Sequence, residues 1–544
     1  MKALFRRHHK SKKNARDKAR ENDGAATADP PSLYRLDLST ASAASSTSRL
    51  ASYKLSPRGR LVSLRPEPPL LRSVPGITDD GLAFSKFGRE ASLRVVIVGA
   101  GFAGLGAAVA CARQNMSVTV LERSSGLSPH GDSIMFGANA SRLMDRWGVG
   151  DDMFLRGASK GGWWLFKDQQ GRDVWQGNLD ELSAQVGAPV LQGRRPTFLA
   201  SLGTQARMLG VQIRLHSEVV QYWDSDDEPA VVLVSGEVVK GDVVIVADGV
   251  HSTARGLLAS TARPTMAQKR TGYSIHRGVM TSEDIAADPV CAHLLDGNIR
   301  TWLGPDSHIC TYPMENGRSL AFTFTHADAK HAASLDWRDK KPISEVLDLL
   351  DSAWDPTLRR AMRHFSSTLH WEITDEAPEA EWISTGGKIC FIGDAVHAMM
   401  PTALQGGSQA IEDAGTIALC LAMAGSNPDG VTVALRVHEK LRRPYVVQAQ
   451  ALGLEQQLVW HTYTSSPTGS PPSILRPLSF DMYSHDAERD ALKHFNDYAH
   501  EVDPAFSVKR EWMDDAAKNA ELDRASEEAR ATRGRRPGSP RPLK

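Results

Sequence analysis

Apolar residues follow two different patterns along this chain. Residues 93–98, LRVVIV, run apolar without alternation apart from Arg94, as a strand covered on both faces requires; AGLGAAVACARQ then predicts a helix and MSVTVLE a second strand. This is a βαβ opening. Further on the pattern alternates: WWLFKDQQGRDVW and RTWLGPDSHICTYPMENGRSLAFTFTH predict antiparallel hairpins, with Leu320, Phe322 and Phe324 alternating against Ala321 and Thr323 and a turn at Asn316-Gly317. KICFIGD restores a buried strand, and the helix predicted after it carries Ala410, Ile411, Ala414, Ile417, Ala418 and Leu421 on one face. The succession predicts an α/β fold, a nucleotide-binding domain interrupted by a mostly antiparallel sheet domain, with a helical C-terminal part. No repeat of solenoid period disturbs that order.

At 41% apolar and 24% charged over 544 residues, the composition excludes fibrous, collagenous and wholly disordered chains. Charge changes the picture more. The 64 Lys+Arg balance 64 Asp+Glu, yet residues 1–20 hold nine basic residues against Asp17 alone and residues 530–544 hold six without an acid, leaving about −14 on residues 21–529. An acidic body excludes a nucleic acid held there by charge. Residues 1–90 read as a disordered, basic and Ser-rich extension, with a nuclear, organelle or acidic-membrane address as the other use of its first twenty residues. Cys111, Cys291, Cys310, Cys390 and Cys420 form no CxxC pair, so neither a disulfide framework nor a metal site is expected, and buried thiols in a reducing compartment are. Val95 to Ala112 runs 18 residues without a charge, but Gly99, Gly101, Gly104 and Gly106 argue against a membrane span. The basic start continues into Ser, Asn and more charge, so no secretory leader is expected.

Three segments carry candidate chemistry. Gly99-Ala100-Gly101-Phe102-Ala103-Gly104 joins the first strand to the first helix, a turn that lets backbone approach a pyrophosphate, and Glu122 ends the next strand where an acid accepts a ribose hydroxyl. Strand, helix and acid together indicate a dinucleotide site without separating FAD from NAD. GDVVIVADGVHSTAR, residues 241–255, reads as a strand, a turn at Asp248-Gly249 and a helix start with Ser252 as N-cap. KICFIGD delivers Asp394 at a strand's C-terminal end, and beyond Pro401 the pair Gly406-Gly407 opens a helix, where a flat ring can approach and the dipole favours negative charge. Glu412 and Asp413 are adjacent on that helix and are not expected to share a face.

In this order and at this spacing the three blocks resemble the FAD-dependent aromatic hydroxylases of the para-hydroxybenzoate hydroxylase fold, nearest in style to salicylate-hydroxylase-like and fungal phenol-modifying monooxygenases, over residues 93–455. The resemblance implies a Rossmann-like FAD-binding domain. It places the FAD pyrophosphate at Gly99, Gly101 and Gly104, the adenosine ribose at Glu122, the ribityl or pyrophosphate side at Asp394, and the isoalloxazine beside Pro401, Gly406 and Gly407. Leu404 stands where a smaller residue is commoner. Gly131 to Ile134 resembles the GxGI loop beside the flavin, with Ser133 and Ile134 as contacts, although Asp132 and Ser133 depart from its usual small pair. Arg195 matches the family's FAD-contacting arginine, with Arg194 as second candidate, and Asp248 belongs to a fingerprint associated with FAD and the nicotinamide donor. His397 is implied to have no chemical role. Arg277 and Tyr312 match an arginine and a tyrosine that bind and orient a phenolate, work suited to a guanidinium and a hydroxyl donor.

The domains expected are the extension 1–90; FAD-binding parts 91–160, 193–262 and 381–455; sheet-domain parts 161–192 and 263–380; a helical region 456–512; and a charged tail 513–544. The implied reaction consumes NAD(P)H, bound transiently because one dinucleotide fingerprint is present, and O2, and hydroxylates a phenolic or polyketide-type ring through a flavin C4a-hydroperoxide. An epoxidase or oxidative tailoring enzyme of a terpenoid or polyketide is the alternative within the fold; a non-catalytic flavin-binding interaction protein is the alternative outside it. No nucleic acid and no transmembrane segment are expected, the oligomeric state stays open, and the cytoplasm is the expected location unless the basic N-terminus directs the chain elsewhere.

Overall fold

The computed structural model describes residues 53–55, 61–63, 93–127, 133–258, 269–328, 333–336, 338–375, 381–425, 427–463 and 480–506. The chain divides into two units, Met1–Leu70 and Leu71–Lys544. In the first, Tyr53–Leu55 pairs antiparallel with Leu61–Ser63. The rest of the extension expected over 1–90 lies outside the described residues, and so does the tail expected over 513–544.

In the second unit the non-alternating run becomes β1 (Arg94–Val98), buried from Val95 onward; α1 (Phe102–Arg113) follows, and β2 (Ser117–Leu121) returns parallel to β1. Next come β3 (Ser133–Phe136), β4 (Trp163–Asp168), β5 (Asp173–Asn178), β6 (Leu191–Arg194), α2 (Arg195–Met208), β7 (Gln212–Arg214) and β8 (Val243–Val246). The alternating region supplies β9 (Lys269–Thr281), β10 (Ile299–Gly304), β11 (Ser307–Met314), β12 (Ser319–Ala327), β13 (Lys340–Pro342) and β14 (Ser367–Asp375). Last are β15 (Ile389–Phe391), α3 (Gly406–Met423), α4 (Val431–Thr462) and α5 (Ala487–Val502).

Five strands form a parallel sheet in the order β7-β2-β1-β8-β15. Because all five point the same way, the chain leaves β1, β8 and β15 at one edge, which gathers the Gly99, Asp248 and Asp394 segments where ligands of such sheets bind. Helix α3 packs on α1 so closely that a Cβ on Gly106 would come within 3.1 Å of both Ala414 and Ile411.

Eight strands form a second sheet, β13-β14-β9-β12-β11-β10-β4-β5, antiparallel at every step except β10 beside β4. Both hairpin regions expected from alternation are present. The turn into β12 passes through Glu315, Asn316 and Gly317, all at positive φ. Alternation in sequence does not leave a wet face here, since β10 and β11 are buried throughout. One face packs Leu320, Phe322 and Phe324 with Trp302 and Trp354, and the other packs Trp164, Ile299, Tyr312 and Ala321 with Trp460 of α4. Among the described residues no helix is long and apolar enough to cross a membrane.

Candidate active site

The glycines of the first motif have different reasons to be glycine. Gly99 has φ 100°, and a Cβ there would lie 2.5 Å from the Ala247 carbonyl oxygen; one on Gly104 would lie 2.0 Å from the Gly99 oxygen. These two let the turn fit between β8 and α1. A Cβ on Gly101 would meet nothing within 4 Å, and α1 begins with neither a capping side chain nor an acid in its first turn. Its free N–H groups suit a phosphate. Helix α3 repeats the arrangement: Gln405 contributes no side-chain cap, the first turn holds no acid, and a Cβ on Gly406 would find no neighbour nearer than 3.9 Å. Gly407 instead lies against β3, where a Cβ would approach Ile134 and Phe136 at 2.9 and 3.0 Å.

Glu122 stands beside this turn, accepting the Ala100 N–H at 2.8 Å and the Ser124 N–H at 2.9 Å. A carboxylate retains further lone pairs for a ribose hydroxyl. Arg195, the first residue of α2, holds its guanidinium 4.9 Å from the ring centroid of Phe102, the first residue of α1. Phe136 meets Phe102 and Phe198 edge to face at 5.1 and 5.0 Å, which ties β3 to both helix starts. The backbone of Arg194 pairs with Ser133, and its Nε is buried with no hydrogen-bond partner. Gly131 and Asp132 lie outside the described residues.

The second and third motifs are joined. Arg255 donates to the carbonyls of Ala395 and Asp394, both at 3.1 Å, and Ser252 Oγ accepts the Ala254 N–H at 3.3 Å, as expected of a cap. Burial raises the Asp248 carboxyl although Ser252 works against it, and Asp248 Oδ1 is buried without a partner. Asp394 is exposed at the edge of a cavity of about 160 Å³ lined also by Val250, His251, Trp371, Met399 and Pro401. Two uncapped helix starts, an orphaned acceptor at Asp248 and an orphaned donor at Arg194 are groups that a dinucleotide satisfies. The residues present fit FAD.

On the sheet, Thr323 of β12 lies in register with Arg277 of β9 on one side and Cys310 of β11 on the other, and Tyr312 shares their face two residues along. The expected pair therefore shares one face of the sheet, with β12 between the two strands. Tyr312 Oη is 3.4 Å from Thr323 Oγ1, and Cys310 Sγ is 3.1 Å from Thr301 Oγ1. Burial pushes the Tyr312 hydroxyl well above its ordinary range, so it stays protonated and can donate. Arg277 Nη2 donates to the Ser133 carbonyl at 2.6 Å and lies 3.4 Å from Ser133 Oγ. Cys310 and Thr323 escape a sequence reading because only strand register places them; the two-residue step from Tyr312 is the one local signal for Cys310.

Beneath α3 lies a buried ionic network that the sequence reading missed. Asp413 accepts the Gly393 N–H at 3.0 Å, bonds His397 Nε2 at 2.5 Å and accepts from Arg442 Nε at 3.0 Å. Arg442 also reaches Gln409 and Glu412, and Glu412 bonds His485 Nδ1 at 2.7 Å. Burial opposes ionisation, yet His397 and Arg442 hold Asp413 well below the usual carboxylate range, and Arg442 with His485 lowers Glu412. The expectation that adjacent Glu412 and Asp413 could not share a face is corrected: both are buried, and the two ends of one guanidinium span them. Since Gly393 is anchored to Asp413, the network sets the position of Asp394 against α3.

The chain is similar to known proteins. Residues 92–447 match the family described as FAD binding domain. The FAD-dependent monooxygenase okaB of Penicillium ochrochloron is 31% identical over 422 residues, spanning 74% of this chain and 90% of that protein. Asperlicin C monooxygenase of Petromyces alliaceus is 29% identical over 425 residues, spanning 75% of this chain and 89% of that protein. The crystal structure of FqzB superposes with a TM-score of 0.66 at 30% identity, covering 77% of this chain and 97% of that one.

Proposed function

Because the chain belongs to the FAD-dependent monooxygenases, we propose that it hydroxylates a phenolic or polyketide-type aromatic ring between its parallel sheet and its eight-stranded sheet, consuming NAD(P)H and O2. One observation carries the reading: contacts run without a break from Gly407 to Ile134 in β3, and from the neighbouring Ser133 to Arg277 in β9. On this reading a flavin side and a substrate side form one assembly.

FAD supplies the activation of oxygen when bound. Gly101 and the N–H groups of α1 would hold its pyrophosphate, between Gly99 and Gly104, with Arg195 or Arg194 alongside; Glu122 would take the adenosine ribose and Asp394 the ribityl side. Asp248 Oδ1 supplies an acceptor at the same edge. The start of α3 at Gly406, with Pro401 before it and Gly407 packed on Ile134, places a positive dipole end where a ring gains negative charge. Arg277 holds a phenolate oxygen by charge, and the protonated Tyr312 hydroxyl donates to the ring substituent and orients it. Val279, Met399 and Leu404 pack against the core that contains Tyr312 and would keep water away. Among the described residues the Gly99 turn is the one glycine-rich dinucleotide loop, which favours a transient nicotinamide. All five cysteines are unpaired and buried, which suits the reducing cytoplasm.

The test is to purify the protein, record its flavin spectrum, and screen phenolic acids and polyketides for stimulated NAD(P)H oxidation with one oxygen added to the ring. Protein without FAD, or FAD-loaded protein inert across the panel, would overturn the reading. The same apolar trio favours a second outcome, epoxidation of a terpenoid or polyketide; an epoxide in place of a ring hydroxyl identifies it.

A further inference from the structure

Strands β14, β9 and β12 lie side by side, and their face opposite Arg277 carries three histidines. His276 of β9 is in register with His370 of β14 and Phe324 of β12, and His326 lies two residues beyond Phe324. Alternation turns all three away from Arg277 and Tyr312. The His276 and His370 rings stack with centroids 3.8 Å apart, and the His326 ring is 5.3 Å from that of His276. One ring nitrogen from each histidine lies within 4.8 Å of the others.

Each ring also has a buried nitrogen with no hydrogen-bond partner: Nδ1 of His276, Nε2 of His326 and Nε2 of His370. His276 is 1% exposed, so water does not serve it. Buried polar atoms are normally paired, and three orphans at one spot call for a shared partner. The outer sides of two rings are already engaged. His326 Nδ1 is 3.0 Å from the Ala327 carbonyl, so Nδ1 carries the proton and Nε2 keeps the lone pair; His370 Nδ1 faces the Glu345 carboxylate at 3.8 Å. Carbonyl and carboxylate partners on the far nitrogen are how metal-ligating histidines are oriented. Asp328, fixed by Ser274 Oγ at 2.8 Å and the Ala333 N–H at 3.0 Å, adds negative charge beside His326 and His370, and Lys341 opposes it.

We propose that His276, His326 and His370 form a tris-histidine site for a zinc-class divalent cation, which clamps β14, β9 and β12 together behind the substrate face. Three imidazoles without a carboxylate cage suit Zn2+, Cu2+ or Ni2+ rather than Mg2+ or Ca2+. Tetrahedral Zn2+ needs each nitrogen at about 2.0–2.1 Å, so the rings turn out of their stack to converge. His326 and His370 are only partly buried, so their rings would do the turning, and water would fill the fourth position. A cation here cannot touch a substrate held by Arg277, which makes it a structural metal.

The experiment uses tag-free, FAD-loaded protein stripped with EDTA and dialysed against Zn2+, with bound metal and FAD measured in the same sample. One equivalent of Zn2+ per chain is expected, with a rise in Tm, and His326→Gln and His370→Gln should each weaken binding by about tenfold or more while keeping FAD. His293→Gln, on a separate helical turn, should bind like the parent. Absence of stoichiometric Zn2+, or binding unchanged in both variants, would overturn the proposal. Should the variants lose FAD, X-ray absorption at the zinc edge of the unaltered protein decides: three imidazole nitrogens support the site and any other ligand set refutes it.

Discussion

Arg277 Nη2 donates to the backbone carbonyl of Ser133 at 2.6 Å, across 144 residues of sequence, so the cation proposed to meet substrate is hydrogen-bonded to the strand proposed to lie beside the flavin. On the proposed reading, a substrate anion drawn to Arg277 would thereby be placed relative to β3 and, through Ile134, to the start of α3. Arg277→Ala should leave bound FAD intact, raise KM and lower kcat, with kcat/KM falling about 10- to 100-fold for loss of a charged hydrogen bond. Steady-state kinetics with the true substrate check this, and unchanged turnover would remove Arg277 from the site.

Tyr312→Phe deletes a donor while keeping the ring that packs beside Ala321 and Met314. The hydroxyl's described partners are Thr323 at 3.4 Å and the weakly bonding Cys310 thiol, so thermal stability should change little. Turnover should drop about tenfold, the value of one neutral hydrogen bond. Equal losses of stability and activity would make Tyr312 a packing residue only.

Gly101→Ala and Gly104→Ala separate binding from folding. The first adds a methyl that meets no protein atom, so the apoprotein should fold normally and bind FAD more weakly by fluorescence titration. The second forces a Cβ to within 2.0 Å of the Gly99 oxygen and should lower Tm with or without FAD. Full FAD affinity in Gly101→Ala would place the pyrophosphate elsewhere.

Arg442→Met strands two buried carboxylates, Glu412 and Asp413, that share its guanidinium. Removing one partner of a buried ion pair costs about 3–5 kcal/mol, and urea unfolding of the apoprotein should show a loss of that size. A loss under about 1 kcal/mol would mean that the network is dispensable.

His485 makes the same region sensitive to alkali. Burial alone would lower its pKa, but Glu412 on α3 and Asp490 on α5 outweigh burial and the opposing charge of Arg442 on α4, raising it from 6.5 to about 9. The folded state holds this proton more tightly than the unfolded chain, so the contribution is complete below about pH 6.5 and disappears as pH rises to about 9. Stability measured by urea between these limits should decline, and His485→Gln should flatten the decline. An equal slope in the variant would assign the pH dependence to other groups.

Much of the fold and part of the site are legible in the sequence because they depend on near neighbours. The turn at Gly99 to Gly104, the caps and the β4/β5 and β10/β11/β12 hairpins follow from backbone sterics and from the two periods of helix and strand, which a short window contains. The family of the FAD site is readable for the same reason, since its three motifs are each local. Tertiary structure alone decided the rest. Gly101 and Gly104 are the same letter in one motif, yet one faces open space and the other a carbonyl 2.0 Å from its Cβ position. Glu412 and Asp413, adjacent on a helix, are joined by Arg442 of α4, and His276, His326 and His370 meet only because β14, β9 and β12 are neighbours. Such encounters arise from strand order and helix packing between segments tens of residues apart. No periodicity encodes them, because a side chain's own neighbours in sequence carry no information about which distant element will cover it.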